Sequence, residues 1–494
     1  MGPRRRRRGR SRDQACFVSP LPHKGVCPLS SPSVQTVDVF PIIERQRAGR
    51  FWISLFVVSW AITFLDGFDL QILSFAGRYI KKAYHLSDTQ LGTLGTIGLL
   101  GTLIGGLALG YLGDRLGRRP SIMVATIGFG IFMVVFIFAQ DYTQLVILRV
   151  LAGLFLGGML PLAWALNTEF APARFRSTSV VIIMIGYSLG SAAGGPVSNL
   201  LIPRFGWESV FVAGGVASLL AVIPVALVLP ESVKFLAQKD RKQDKIAKIL
   251  RRIDPSLKFA EGTRFVAGLV DKKRFNPAQL FSDKLRMITS LLWIAYICSS
   301  AVVFYLAFWG PILNERLGFS TSAAATIAAC ASVAGAVGQL LIGRFIDKRG
   351  AGTIAIMPLL GVPCLLLIGL APLSAGVYIL ILLVAHIFII GGHGGVHSIA
   401  SIFYRPAIRA NGGAWATSIA KFGAMLGPWL AGVIMDGGLG ARGTFFVFAL
   451  FPLLMSGLLF WLGRVQKRLP PDADGALTSV SGASAATRTE EAVA

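Results

Sequence analysis

Two stretches without a fixed charge constrain this chain more than any other feature. No Asp, Glu, Lys or Arg lies between Ile288 and Pro311, and from Gly352 to Tyr404 the titratable nitrogens are only those of His386, His393 and His397. About 20 consecutive apolar residues are enough for a helix to cross the hydrocarbon core of a bilayer. Such runs recur along the chain, of which 54% is hydrophobic and 15% charged, where a soluble domain carries about 25% charged residues. The reading is an all-α membrane protein. Its twelve spans are placed near 51–75, 92–111, 121–139, 143–166, 178–201, 209–229, 288–311, 321–343, 352–371, 375–400, 412–435 and 443–463.

The formal charge of +24 raises the question of nucleic acid, but its placement answers it. With those spans, 40 of the 48 Lys and Arg fall in the two tails and one alternate set of loops. Six (Arg78, Lys81, Lys82, Arg204, Arg316, Arg442) fall in the other set, and Arg149 and Lys421 lie inside spans. Basic loops stay in the cytoplasm, so the asymmetry reports topology, with both termini cytoplasmic and the lipid bilayer as the partner. No nucleic-acid partner is expected. Cys16, Cys27, Cys298, Cys330 and Cys364 have no metal-ligand spacing, and those in spans serve as small hydrophobes. Neither a metal nor a disulfide framework is expected.

The expected organisation is a cytoplasmic tail over 1–50, a six-helix half over 51–229, a linker over 230–287, a second six-helix half over 288–463 and a disordered cytoplasmic tail over 464–494. Residues 1–33, with the run Arg4–Arg8 and no apolar segment after it, read as disordered or as lying before an unused start codon. The linker carries 15 basic and 7 acidic residues and a helical-looking stretch from Lys239 to Arg252. An internal repeat supports the two halves. An offset of 233 carries Gly110, Asp114, Arg115 and Gly117 onto Gly343, Asp347, Lys348 and Gly350, and Phe170, Arg176, Gly190 and Gly194 onto Phe403, Arg409, Gly423 and Gly427. Two halves related by an axis along the membrane normal are a transporter plan.

The loop Gly110-Tyr-Leu-Gly-Asp-Arg-Leu-Gly-Arg-Arg119 joins spans two and three, with Gly343-Arg-Phe-Ile-Asp-Lys-Arg-Gly350 as its weaker copy. It resembles the signature loop of the major facilitator superfamily. Glycines there allow a tight turn, and the aspartate, Asp114 or Asp347, can cap a neighbouring helix or pair with an arginine, locking one of two arrangements of the bundle; Arg115, Arg118 and Arg349 belong to the same loops. Span four opens with Arg149 followed by Gly153 and Gly157, a flat stripe for a neighbouring helix. Arg149 should face the bundle interior, since a charge in lipid is costly. This too is similar to a superfamily pattern, one associated with proton coupling.

Span one holds Phe64-Leu-Asp66-Gly-Phe-Asp69-Leu. Carboxylates three residues apart share a helix face. At 1.5 Å per residue they lie roughly 22–27 Å from the inner end, in the outer half, with Arg149 roughly 9 Å from the outer end of span four. Pairing with Arg149 is feasible, either to carry a proton through a cycle or only to pack the helices. Asp-Gly-Phe-Asp, preceded by Val37-Asp-Val, resembles the aromatic acid:proton symporter family. Further resemblance lies in Gly157-Gly-Met-Leu-Pro161, Glu169-Phe-Ala-Pro-Ala-Arg-Phe-Arg176, Phe403-Tyr-Arg-Pro-Ala-Ile-Arg409-Ala-Asn-Gly-Gly-Ala-Trp415 and Lys421-Phe-Gly423. The family places an arginine where this chain has Lys421, which keeps the charge and loses the bidentate fork.

Lys421 lies roughly 14 Å into span eleven, with no acid in that span. It suits a substrate carboxylate, or else a pairing with Asp66 or Asp69 across the pore. Arg409 sits at the inner mouth as a second candidate or an interface anchor, and Arg176 and Glu169 belong to the loop machinery. Tyr305 and Trp415 are among the aromatics able to stack on a ring. His393 and His397, four apart, suit packing or a substrate hydroxyl better than a metal. The resemblance implies a monomeric, cofactor-free secondary transporter of the bacterial inner membrane that imports small aromatic or related organic acids with protons. An efflux antiporter or a transporter-like receptor is the alternative; no nucleophile–base pair or cofactor motif suggests an enzyme.

Overall fold

A computed structural model describes residues 36–468 except 47–48, 173–175, 240–242, 261, 267–275, 283–284, 350–353 and 405. The tail 1–33 and most of the tail 464–494 lie outside the described residues. The apolar runs fold as helices because hydrocarbon leaves the backbone no partner but itself. Spans one to six are Arg50–Ala83, Asp88–Leu116, Arg118–Val135 with a 3-10 turn to Phe138, Tyr142–Phe170, Arg176–Phe205 and Glu208–Val228. Spans seven to twelve are Leu285–Arg316, Thr321–Arg349, Ile356–Leu370, Ala375–Phe403, Pro406–Ile434 and Gly440–Arg468, the last interrupted at Ala449. Among the described residues, nine stretches are long and apolar enough to cross a membrane, one of which joins spans eleven and twelve. Positive φ at Gly438 and Gly440 breaks that joined stretch.

Most helices overrun their expected bounds, span one by a full two turns beyond Phe75. Polar residues such as Arg78, Lys81 and Lys82 end the hydropathy signal there but not the helix, since Lys and Arg are good helix formers. Asp66 therefore lies half-way along a 34-residue helix rather than in its outer half.

The repeat is visible in the packing. A methyl group on Gly190 of span five would meet the carbonyl oxygen of Phe64 in span one at 1.9 Å, and one on Gly423 would meet that of Ile297 at 2.1 Å. These two contacts are related by the same offset of 233. So are Gly105 against the Leu154 carbonyl at 1.7 Å and Gly338 against that of Ile387 at 2.0 Å. Small residues let backbones touch where no hydrophobic force between helices operates. Gly190→Ala is expected to destabilise the protein by about 1–3 kcal/mol, as overpacking does, seen as a lower melting temperature in detergent.

The side bearing the linker is more structured than expected. Thr36–Asp38 pairs in parallel with Arg264–Val266, so the segment before span one is tied to the linker. The expected linker helix is present as Gln243–Ile253, with Ile246, Ile249 and Leu250 buried. Gly117 turns with φ 116°, and Glu231 accepts from the backbone N–H of Arg118 at 2.7 Å and Arg119 at 3.3 Å. A carboxylate at a helix N-terminus satisfies orphan donors and the helix dipole. Asp114, 78% exposed, instead pairs with Arg118 at 3.7 Å. Of its neighbours, Arg115 lies over the Tyr111 ring, and a methyl on Gly110 would meet nothing within 4 Å among the described residues. Glu169 accepts from Ser232 Oγ and from the N–H of Lys234 at 2.7 Å, binding span four to the linker. The side chains of Arg176, Asp347, Arg349 and Arg409 lie outside the described residues.

Candidate functional site

Asp-Gly-Phe-Asp places its four residues around one helix turn, and each meets something different. Gly67 lies flush on span five, where a methyl would come within 2.0 Å of the Tyr187 carbonyl. Phe68 turns away, toward Gly214 of span six. Asp69 reaches span four and accepts a bidentate pair from Arg149, 2.8 Å from Nη1 and 3.0 Å from Nη2. Both side chains are at least nine-tenths buried. Parallel N–H···O bonds of this kind fix geometry as well as charge.

Arg149 is steered by the glycine stripes. Its stem runs over Gly98 of span two, where an added methyl would lie 3.3 Å from Cγ. Gly153 and Gly157 receive span two so closely that a methyl on either would meet a carbonyl at 2.1 Å. The expected stripe is present, and its neighbour is span two.

Asp66 stands apart from this pair. It is partly exposed, and among the described residues it makes no ion pair within 4.0 Å. Lys421, from the other half, lies within Coulombic reach of it, as does Tyr187. Lys421 donates to the carbonyl of Thr102 at 3.2 Å, the middle of span two. Two carboxylates one turn apart are thus unequal. One is locked to an arginine, and the other has no ion pair among the described residues and lies within Coulombic reach of a lysine of the other half.

The remaining candidates divide. Trp415 is 41% exposed and stacks on Trp293 with ring centroids 6.2 Å apart. Tyr305 corrects the expectation that it faces a ligand. It is fully buried, stacked on Phe448 at 3.9 Å, with its hydroxyl 2.7 Å from Thr444 Oγ1. A tyrosine whose ring and hydroxyl are both satisfied inside its own half is a packing residue.

Sequence reasoning missed a seal at the ends of the spans away from the linker. Arg78 of span one pairs with Glu315 of span seven at 2.9 Å, and Arg316 and Lys81 converge on Asp88, each at 2.5 Å. Asp436, after span eleven, accepts from the N–H groups of Asp88 at 3.0 Å and Thr89 at 2.8 Å, the start of span two. A methyl on Gly92 would meet the Pro428 carbonyl at 2.5 Å. The two halves are closed together on this side. The signal was present as three of the six cations counted only for topology, each within reach of an acid at a span end.

A model of the Major Facilitator Superfamily matches residues 59–405. The chain is 32% identical over 415 residues to a gallate transporter of Pseudomonas putida, covering 83% of this chain and 92% of that protein. It is 32% identical over 444 residues to the 4-hydroxybenzoate transporter PcaK of Pseudomonas putida, covering 89% and 98%. It is also 30% identical over 414 residues to the 3-(3-hydroxy-phenyl)propionate transporter of Escherichia coli K12, covering 84% and 94%. Among solved structures, a bacterial homolog of the human lysosomal transporter Spinster superposes with a TM-score of 0.68 at 18% identity, over 86% of this chain and 100% of that one. The xylose transporter XylE of E. coli gives 0.65 at 19%, over 84% and 98%, which supports the same fold.

Proposed function

Since this chain belongs to the Major Facilitator Superfamily and, within it, to the family of aromatic acid transporters, we propose that it imports small aromatic acids together with protons. It does so as a monomer by alternating access in the bacterial inner membrane, with the linker and both termini in the cytoplasm. The sealed side is then extracellular, and this is an inward-facing state.

One observation carries the reading: Asp69 is locked to Arg149, while the partly exposed Asp66 has no ion pair among the described residues and lies within Coulombic reach of Lys421 in the other half. Lys421 has one charge for two suitors, the Asp66 carboxylate and the carboxylate of a substrate. A proton on Asp66 removes the competitor and leaves Lys421 to the substrate. Deprotonated Asp66 reclaims it and favours release. Proton and substrate therefore bind with positive coupling, and that coupling is reciprocal by linkage. The Asp69–Arg149 pair holds span one against span four so that Asp66 keeps its place. Trp415 and Arg409 stand toward the cytoplasmic mouth, where the acid leaves.

The test is uptake of radiolabelled 4-hydroxybenzoate and benzoate into cells expressing the chain, with and without an uncoupler. Accumulation above the external concentration should collapse on uncoupling. Uptake that is insensitive to the uncoupler sinks the symport reading.

A further inference from the structure

A hydrogen-bonded chain of side chains in the second half takes no part in the Asp66–Lys421 exchange. His393 and His397 of span ten approach each other Nε2 to Nε2 at 3.2 Å, and His393 Nδ1 lies 2.7 Å from Ser299 Oγ in span seven. Tyr296 packs edge-on to His397 with centroids 5.1 Å apart. Both nitrogens of His393 are engaged, and Ser299 is 1% exposed. His397 is exposed. Among the described residues the chain thus has one open end, His397 Nδ1.

Three relations place that open end on the transport path. His386 and Ile390 line a cavity with Gln71 and Ser191 of the first half. Positions seven and eleven residues after His386 fall within about 20° of it on a helix of 3.6 residues per turn, so His393 and His397 continue the cavity-lining stripe inward. Span seven also serves as a common ruler. Gly423 abuts Ile297, which sets Lys421 beside the turn holding Ala295, and His397 packs on Tyr296 of the same turn. Finally, the offset of 233 carries Asp66 onto Ser299. Counterparts about an axis along the membrane normal share a depth. Where the first half has its open acid, the second half has this chain.

We propose that Ser299, His393 and His397 form the subsite that reads the ring hydroxyl of a hydroxylated aromatic acid whose carboxylate sits at Lys421; this rests on the transport reading above. The chemistry follows from proton positions. In one arrangement Ser299 donates to His393 Nδ1, His393 Nε2–H donates to His397 Nε2, and His397 presents an N–H outward. In the other, every donor reverses: His397 Nε2–H donates to His393, His393 Nδ1–H donates to Ser299, and the serine O–H turns to a carbonyl one turn back in its own helix. His397 Nδ1 then presents a bare lone pair, which accepts from a phenolic O–H. Both arrangements keep each internal bond satisfied, as a buried polar network must. Benzoate, without the hydroxyl, leaves the chain in its first arrangement and gains nothing from it.

The experiment measures KM for 4-hydroxybenzoate and benzoate in cells expressing the full chain, wild type and His397→Phe, His397→Gln and Ser299→Ala. His397→Phe should raise KM for 4-hydroxybenzoate about tenfold, the scale of one lost hydrogen bond, and leave that for benzoate unchanged. His397→Gln, which keeps an acceptor, should recover part of the loss, and Ser299→Ala should show a smaller rise with the same selectivity. Equal changes for both acids, or none for 4-hydroxybenzoate, overturn the subsite while the transport reading stands. A wild type that carries neither acid overturns both. If His397→Phe does not reach the membrane, the glutamine and alanine variants decide by the same ratio of the two KM values.

Discussion

Asp66→Asn is expected to abolish proton-driven accumulation of substrate while leaving exchange of internal for external substrate intact. Asparagine mimics a protonated carboxyl that can no longer lose its proton. Lys421 then stays available to the substrate, and both substrate-loaded states remain reachable. Only the empty return, which needs the Asp66 carboxylate on Lys421, is lost. Asp69→Asn should behave differently. It removes the partner from a buried arginine, and breaking such a pair costs about 3–5 kcal/mol. Its main effect should be a lower melting temperature in detergent, with accumulation and exchange falling together. Comparing accumulation with counterflow in the same vesicles separates the two aspartates. Equal loss of counterflow in both variants would mean that the acids act as one structural unit.

Lys421→Ala is expected to raise KM for aromatic acids by about 10- to 150-fold, which corresponds to the 1.5–3 kcal/mol of a hydrogen bond to a charged group. Lys421→Arg should retain transport, since charge is kept and the guanidinium fork suits a carboxylate. It should also alter the ranking of substrates, because the ammonium now rests on the Thr102 carbonyl at 3.2 Å and a longer, planar group cannot sit there in the same way. Concentration dependence of uptake for three ring-substituted acids measures both effects. Unchanged KM in the alanine variant removes Lys421 from the anion site.

Much of the arrangement is legible in the residues themselves, for stated physical reasons. Charges inside hydrocarbon need partners, so Arg149 and the span-one acids point to one another, and the pair forms. Gly153 and Gly157 at fourfold spacing announce a close helix, though not that the helix is span two. The offset of 233 is legible because glycine contacts tolerate no side chain, and the same two contacts recur in each half.

Other features are not legible, and their causes differ. Which aspartate takes Arg149 depends on rotation of span one, set by Gly67 against Tyr187, a contact between segments more than a hundred residues apart. Tyr305 carries the same aromatic signature as a stacking ligand residue, and only its neighbours Phe448 and Thr444 mark it as core. The pairs through Asp88, Glu315 and Asp436 hide at the span ends away from the linker, where charge ordinarily reports topology alone. Val37-Asp-Val resembles a family motif in sequence, yet its pairing with Arg264–Val266 requires the linker to fold back beside it.

Asp66 is the residue proposed to carry the coupled proton. The most direct measurement uses purified protein in liposomes loaded with a pH-sensitive dye, with no initial pH gradient and 4-hydroxybenzoate added outside. The wild type should acidify the lumen as substrate enters, whereas Asp66→Asn, in liposomes preloaded with 4-hydroxybenzoate so that exchange can run, should admit labelled substrate with no acidification carried by the protein. Acidification by Asp66→Asn at the wild-type ratio of protons to substrate would mean that another group carries the proton.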